Sequence, residues 1–431
     1  MRTNRYLPIL FLFAVLFSQD KTLSLQELLV EAVKNNYDAK SQKYKEKIAQ
    51  QEARKDLGNL LPTVQGAVDY NYFHDLPVFA SDNGVIRSGT KHRLMPELSL
   101  EQPIFDATAF QNYSRSSLLQ KVEKLQTAKT KLEVISEVKI AYFQYLLLLE
   151  RQKTIEASVQ RLDKAVLDMN LKLENGLVQR LDVDRIQVLL NDANLELAKI
   201  KRQIPYQVLW LKYLANLDMQ EPVGFSGSLQ EFFDMHKNTV VEEQPAENVD
   251  VLLAAQQSKI AKTQAKWQGA KYLPTINLVA GYQFNFLNNN FSNLTSKYYP
   301  TSFVGVSAKI VLFKSLNKTW ALKSAVLQAK LADNILEKTK TETDVLLVKQ
   351  RMELLNSLEE SNTQSANVAL ADLNFQNIYH QYNNGLRSSL DLLNAQETLQ
   401  SASLLHVQAM YNVLMYQTLL EKTLGFTSEN L

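Results

Sequence analysis

Thr275-Ile276-Asn277-Leu278-Val279-Ala280-Gly281-Tyr282-Gln283-Phe284-Asn285-Phe286 decides the fold. Ile276, Leu278, Ala280, Tyr282, Phe284 and Phe286 occupy one parity; Thr275, Asn277, Gly281, Gln283 and Asn285 occupy the other. Strict two-residue alternation describes a strand with one apolar and one polar face. Three further runs behave alike. Val64, Val68, Tyr70 and Tyr72 alternate with Gln65, Asp69 and Asn71; Leu94, Leu98 and Leu100 alternate with Glu97, Ser99 and Glu101. Val304, Val306, Ala308, Ile310 and Leu312 make the fourth. A soluble sheet alternates too. The strand length and the aromatics near the strand ends favour a membrane barrel. The loops at 74–92 and 287–301 hold Asn, Ser, Gly and Asp, with Tyr298-Tyr299 as interfacial anchors.

Outward from these strands the chain repeats itself. Asn36, Asp38, Ile48, Ala49, Ala53 and Leu61-Pro62-Thr63 recur, each 212 residues on, as Asn248, Asp250, Ile260, Ala261, Ala265 and Leu273-Pro274-Thr275. Asn175-Gly176-Leu177 and Leu181-Asp182 recur 209 residues on, as Asn384-Gly385-Leu386 and Leu390-Asp391. One large duplicated unit accounts for this, not a short solenoid repeat. Each copy reads helix, strand, strand, very long helix, Gly turn, helix. The expected division is residues 1–18, 19–221 (first copy), 222–247 (connector) and 248–431 (second copy). A helix is expected from Leu23 to about Leu60, capped by Ser24 with Glu27 three residues on. The runs Asp106–Glu174 and Lys314–Asn383 contain neither Pro nor Gly. Each could extend about 100 Å at the helical rise. After each Gly turn a heptad starts: Val183, Ile186, Leu190, Ala193, Leu197, Ile200 and Ile204 in the first copy, and Leu392, Ala395, Leu399, Ala402, His406, Ala409, Val413, Tyr416 and Leu420 in the second. Leu322, Ala325, Ala329, Ala332 and Leu336 add a third series. Such spacing with small residues means closely packed helices. Pro205 should kink the first series. The connector, with Gly224, Gly227, Phe232-Phe233, Glu242-Glu243 and Pro245, reads as a belt between copies.

Arg2 and Arg5 precede the apolar run Leu7 to Phe17 and then Ser18-Gln19-Asp20, the pattern of a signal peptide over residues 1–18. Its removal leaves 45 basic residues against 45 acidic, so nothing argues for nucleic acid. Zero cysteine excludes thiol nucleophiles, disulfides, thiolate metal sites and a cysteine-linked lipid anchor. No later apolar run reaches the length of a membrane helix, so any membrane entry is by strands. Four strands cannot close a barrel, and an open edge in lipid leaves backbone groups unpaired. Strands in the membrane therefore require several chains sharing one barrel.

No catalytic constellation, cofactor motif or metal spacing is found, and the expectation is a protein that is not an enzyme and holds no cofactor or metal. The five histidines are scattered, with His406 in a heptad position expected to be packed and hydrogen-bonded. The polar residues that stand out flank the Gly turns: Arg180, Asp182 and Asp184 at the first, Tyr382, Arg387, Asp391 and Asn394 at the second. Gly in the left-handed conformation ending one helix, with Asp in the first turn of the next, accounts for part of this. Tyr382 and Arg387 lie outside that explanation and suit bonds pinning the two turns together.

The order of helix, Leu-Pro-Thr strand, strand ending Gln102-Pro103-Ile104-Phe105, long helix and Gly-turn helix, in both halves, resembles the outer membrane efflux protein family, the TolC-like channels. The resemblance implies a mainly α fold with a membrane β-barrel portion: a homotrimer with a shared 12-stranded barrel, four strands per chain, continued by long coiled-coil helices as an α-barrel tunnel. It implies an outer-membrane duct reaching into the periplasm, surrounded by outer-membrane lipid. Its partners would be a periplasmic adaptor and an inner-membrane RND or ABC pump, in tripartite efflux or type I secretion. By the same resemblance Asp182, Tyr382 and Arg387 are the gate latch, Asp182 being the carboxylate for Arg387. Asp391 and Asn394 ring the aperture, with Asn394 leaving one carboxylate ring where some members have two. Leu181 replaces a hydroxyl residue found in some members. Gly176, Leu177, Gly385 and Leu386, at the tip turns, would meet the adaptor. A periplasmic coiled-coil spacer or adhesin-like stalk is the alternative.

Overall fold

The computed structural model describes residues 21–81, 84–237, 248–313 and 316–425. The expected signal segment 1–18, Glu242-Glu243 and Pro245 of the expected connector, and Lys314 lie outside these residues. In chain order the elements are β1 (Lys21–Leu23), α1 (Leu25–Asn35), α2 (Tyr37–Gly58), β2 (Thr63–Tyr72), β3 (Val78–Ser81), β4 (Gly84–Arg87), β5 (His92–Phe105), α3 (Ala107–Glu174), α4 (Arg180–Ala215), β6 (Val223–Phe225), α5 (Leu229–His236), α6 (Val249–Ala270), β7 (Thr275–Asn288), β8 (Tyr298–Lys309), α7 (Asn317–Asn383) and α8 (Ser389–Leu424), with a 3-10 turn at Phe291–Ser296. The two copies are close to superimposable as lists. The long helices α3 and α7 have 68 and 67 residues, and α4 and α8 have 36 each.

The chain forms two compact units, each drawing on both copies: residues 41–129 with 247–344, and residues 1–40, 130–246 and 345–431. The first of these holds the four-stranded antiparallel sheet, in the order β2-β5-β7-β8. Its register aligns the apolar parities. Val64 faces Leu100, Leu100 faces Ala280 and Ala280 faces Val304; one end of the same face carries Tyr70, Leu94, Phe286 and Tyr298. Gln65, Ser99 and Gly281 line up on the other face. At Gly281 a Cβ would lie 2.6 Å from the ring of Phe303, so only glycine lets that ring cover the strand. The outer strands β2 and β8 pair on one side only, and Val64, Val68, Val304 and Val306 are exposed. In the same unit α2 is tied to α3 by Gln42 donating to Glu123 (2.8 Å) and Thr127 donating to Glu46 (2.8 Å). α6 is tied to α7 by Ser258 and Lys262, which both reach Asp333.

The second unit holds two cores. One gathers Tyr142, Leu146, Leu147, Leu211, Leu214, Val413 and Leu414 with Leu28 and Leu29. The connector contributes here: β6 pairs in parallel with β1, and Phe225, Leu229 and Phe233 are buried. Tyr142 donates its hydroxyl to the Ser226 carbonyl, and burial pushes its pKa up to about 12. The other core sits between the ends of α3 and α7 and the starts of α4 and α8. Its members Val183, Ile186, Leu190, Ala193, Leu392, Ala395, Leu399 and Ala402 are the heptad positions read from the sequence. Further along α8, His406 is half-buried; burial lowers its pKa, a backbone hydrogen bond with Ser361 opposing this, and its Nδ1 has no partner.

Four details differ from the sequence reading. The first helix is broken at Asn36, whose Nδ2 donates to the Leu214 carbonyl (2.9 Å) while its Oδ1 caps α2 through Asp38 N (2.8 Å). Asn248 caps α6 in the same manner, through Asp250 N at 2.9 Å. The repeated Asn-x-Asp is thus a pair of helix caps. β8 begins at Tyr298 and stops at Lys309, leaving Ile310 and Leu312 beyond it. The first loop carries the β3–β4 hairpin, with Val78, Phe79, Val85 and Ile86 exposed. Finally α4 continues through Pro205 to Ala215 without ending.

Candidate functional site

The Gly turns are two copies of one device. Gly176 (φ 72°) and Gly385 (φ 74°) sit in the left-handed region where a side chain is strained. Leu177 N donates to Lys172 O (2.9 Å) and Gly176 N to Leu173 O (3.0 Å); Leu386 N donates to Gln381 O (2.9 Å) and Gly385 N to Tyr382 O (3.0 Å). Paired 6→1 and 5→2 bonds are the Schellman closure of a helix. Leu177 and Leu386 follow at 72% and 74% exposure, far outside any core.

The next helix starts just beyond each turn, and the aspartates serve its cap. Asp182 Oδ2 accepts from Gln179 N at 3.2 Å. Asp391 Oδ2 accepts from the Ser388 hydroxyl (2.8 Å) and Ser388 N (3.1 Å), and Ser388 Oγ accepts from Asp391 N (3.2 Å), a reciprocal box. The Ser388 hydroxyl, then its N–H, then the Arg387 charge hold the Asp391 carboxyl below its ordinary value of 3.8. Asn394, exposed, lies one turn further along the same side of α8.

The residues expected to form a latch make the following bonds within the chain. Tyr382, 7% exposed, directs its hydroxyl to Asp168 Oδ2 (3.3 Å) and Met169 Sδ (3.2 Å) on α3. Lys172 bonds Asp168 (2.9 Å) and lies over the Tyr382 ring, 3.8 Å from its centroid. Burial raises the Tyr382 pKa, against the pull of Lys172. Asp182 Oδ1 accepts from the Ser389 hydroxyl at 3.0 Å, which joins the start of α4 to the start of α8. Arg387 does not reach Asp182 within the chain; its Nε donates to Gln381 Oε1 (3.0 Å), and both side chains are exposed. Sequence reading missed Asp168, Lys172 and Ser389. Ser389 follows the cap serine Ser388, and its position beside the cap was the available signal.

Among the described residues no group of His, Asp or Glu is placed to hold a metal ion, and no helix is long and apolar enough to cross a membrane. The chemistry on view is hydrogen bonding and charge between two helical hairpins.

Residues 240–426 match the family model for the outer membrane efflux protein. No curated protein matches the sequence. The fold is similar to VceC, an outer membrane protein of Vibrio cholerae, at 17% identity and a TM-score of 0.82, covering 93% of this chain and 96% of that one. It is similar to the open state of the MtrE outer membrane channel of Neisseria gonorrhoeae, at 16% identity and 0.78, covering 93% and 88%. The CmeC outer membrane channel of Campylobacter jejuni follows, at 16% and 0.75, covering 93% and 85%. The family's sequence pattern thus covers the second half of the chain, and the fold of these outer membrane channels covers nearly its whole length.

Proposed function

We infer that three copies of this chain form a passive export duct, in which the β2-β5-β7-β8 sheets close one 12-stranded barrel and the paired hairpins form a tunnel gated at the Gly turns. The observation that carries this reading is the sheet itself. All four strands lay their apolar parity on one face, and both edge strands end with unpaired backbone. In lipid those edges must be satisfied, and pairing β8 of one copy with β2 of the next does so without new structure. The apolar heptad positions of α7 that stay exposed, among them Val345, Val348, Met352 and Leu355, suit burial against neighbouring copies.

The gate follows from the tip bonds. Tyr382 with Asp168, and Ser389 with Asp182, hold the α7/α8 hairpin against the α3/α4 hairpin. Arg387, which donates to Gln381 and lies near the Asp391 charge in its own chain, would reach Asp182 of an adjacent copy. Asp391 and Asn394 would then ring the aperture, with one carboxylate per chain giving a modest cation preference. Gly176, Leu177, Gly385 and Leu386 present exposed backbone and two leucines for an adaptor, and an inner-membrane RND or ABC pump supplies the energy. The duct performs no catalysis.

Light scattering on the detergent-extracted protein tests the assembly. A protein mass three times that of the chain is expected. A monomer that stays in buffer without detergent would instead favour a periplasmic coiled-coil spacer.

A further inference from the structure

Above the tip bonds lies a second set of contacts between the same two hairpins. Ser158 and Arg161 on α3 meet Gln396 and Gln400 on α8 inside an otherwise apolar core. Ser158 is fully buried and Gln396 is 4% exposed. Arg161 Nε donates to Gln396 Oε1 (2.7 Å), Gln396 Nε2 donates to Ser158 Oγ (2.9 Å), and Ser158 Oγ donates to Gln400 Oε1. The Arg161 guanidinium also stacks over Phe375 of α7, 5.7 Å from the ring centroid. Leu162, Leu392, Leu393 and Leu399 surround the layer.

The two sets differ in what can replace them. Asp182 and Ser389 are only half-buried, and the Asp168 side chain is 44% exposed. When those bonds break, water takes the place of the lost partner. In the layer, one amide accepts at its oxygen and donates at its nitrogen, and one hydroxyl both accepts and donates. A slide of α8 along α3 breaks the three bonds together and leaves the buried Ser158 hydroxyl and Gln396 amide without their partners. Burial lowers the Arg161 pKa, with the Asp372 charge opposing this.

We propose that Ser158, Arg161, Gln396 and Gln400 are the fulcrum of the gate: the α7/α8 hairpin parts from the α3/α4 hairpin below this layer, while the layer stays in register. The proposal rests on the reading of the tip as a gate. From Ser389 to Gln396 the lever on α8 is about 10 Å. Without the layer the next buried anchors on α8 are Leu399 and Ala402 of the same core. The lever from Ser389 then becomes about 15–20 Å, and the same angle displaces the tip about one and a half to two times as far.

Single-channel recording separates latch from fulcrum. In the background Tyr382→Phe with Ser389→Ala, openings become more frequent at one amplitude. Adding Gln396→Leu raises the amplitude of each opening about one and a half to two times, as the longer lever requires. Adding Gln396→Glu keeps the acceptor for Arg161, lets the Ser158 hydroxyl donate to the new carboxylate where it had accepted from the amide, and leaves the amplitude at that of the background. Equal amplitudes for Leu and Glu, or a change in opening frequency alone, overturn the proposal. Where Gln396→Leu fails to assemble, Ser158→Ala in the same background gives the same readout. The gate reading has its own control, because the chain has no cysteine of its own. Asp182→Cys with Ser389→Cys, joined by a short bis-thiosulfonate reagent, abolishes openings if the tip is the gate. Persistent openings after complete cross-linking remove the gate, and the fulcrum with it.

Discussion

Replacing Tyr382 by Phe removes one hydroxyl and almost nothing else. The ring stays 7% exposed in its core, and Lys172 still lies over its face and still bonds Asp168. What is lost is the bond to Asp168 Oδ2, together with a weak contact to Met169 Sδ. A hydrogen bond to a charged group contributes about 1.5–3 kcal/mol when well formed. This one is long, at 3.3 Å, and its carboxylate is 44% exposed and already shared with Lys172, so about 1 kcal/mol is the sounder figure. That amounts to roughly fivefold in the open-to-closed ratio of a single tip, and about a hundredfold if three tips open together. Planar bilayers read the ratio directly as open probability. Tyr379→Phe, at a 44% exposed neighbour, is the control and should change nothing. An open probability for Tyr382→Phe indistinguishable from the parent would refute the role of this hydroxyl in closure. An intermediate rise of fivefold would show that the tips open one at a time.

Gly176→Ala and Gly385→Ala should each cost about 1 kcal/mol, since both glycines hold φ near 73° and neither would gain a clash; equal losses of thermal stability for the two check the equivalence of the turns. Because the folded pKa of Asp391 is depressed, the stability its cap adds is present above 3.8 and is lost as pH falls through the lower folded value. Cation preference of the channel should therefore persist to pH 4 and disappear only below that, and Asp391→Asn should remove it at pH 7, as reversal potentials would report. Val306→Arg on the apolar face of β8 should cost about 2–4 kcal/mol at mid-membrane and reduce the yield of heat-resistant trimer, whereas Ser307→Arg on the opposite face should not.

The large features were legible because they are periodic. Alternation in Thr275–Phe286 determined which residues share a face, and the register then carried that face across four strands. The heptads from Val183 and Leu392 became the core at the tips, since three-and-four spacing leaves a packed helix little choice. Features set by single contacts between distant segments were not legible. Asn36 looked like one more helix residue until its side chain met the Leu214 carbonyl, 178 positions away. β1 and β6 are three residues each and pair across the whole first copy, too short for any pattern to show. Asp182 and Tyr382 stood out in the sequence, but that they bond Ser389 and Asp168 depends on the rotation of α8 and α3, which local spacing does not set. Arg387 was expected on Asp182 and is found on Gln381, within the chain as a single copy.

Single-channel recording of the detergent-extracted protein in planar bilayers tests the central claim most directly. A duct built from three shared sheets and closed at its tips predicts discrete openings of low probability, modestly selective for cations, that become frequent when Tyr382 loses its hydroxyl. A bilayer that stays silent at protein concentrations where trimers are present would contradict it.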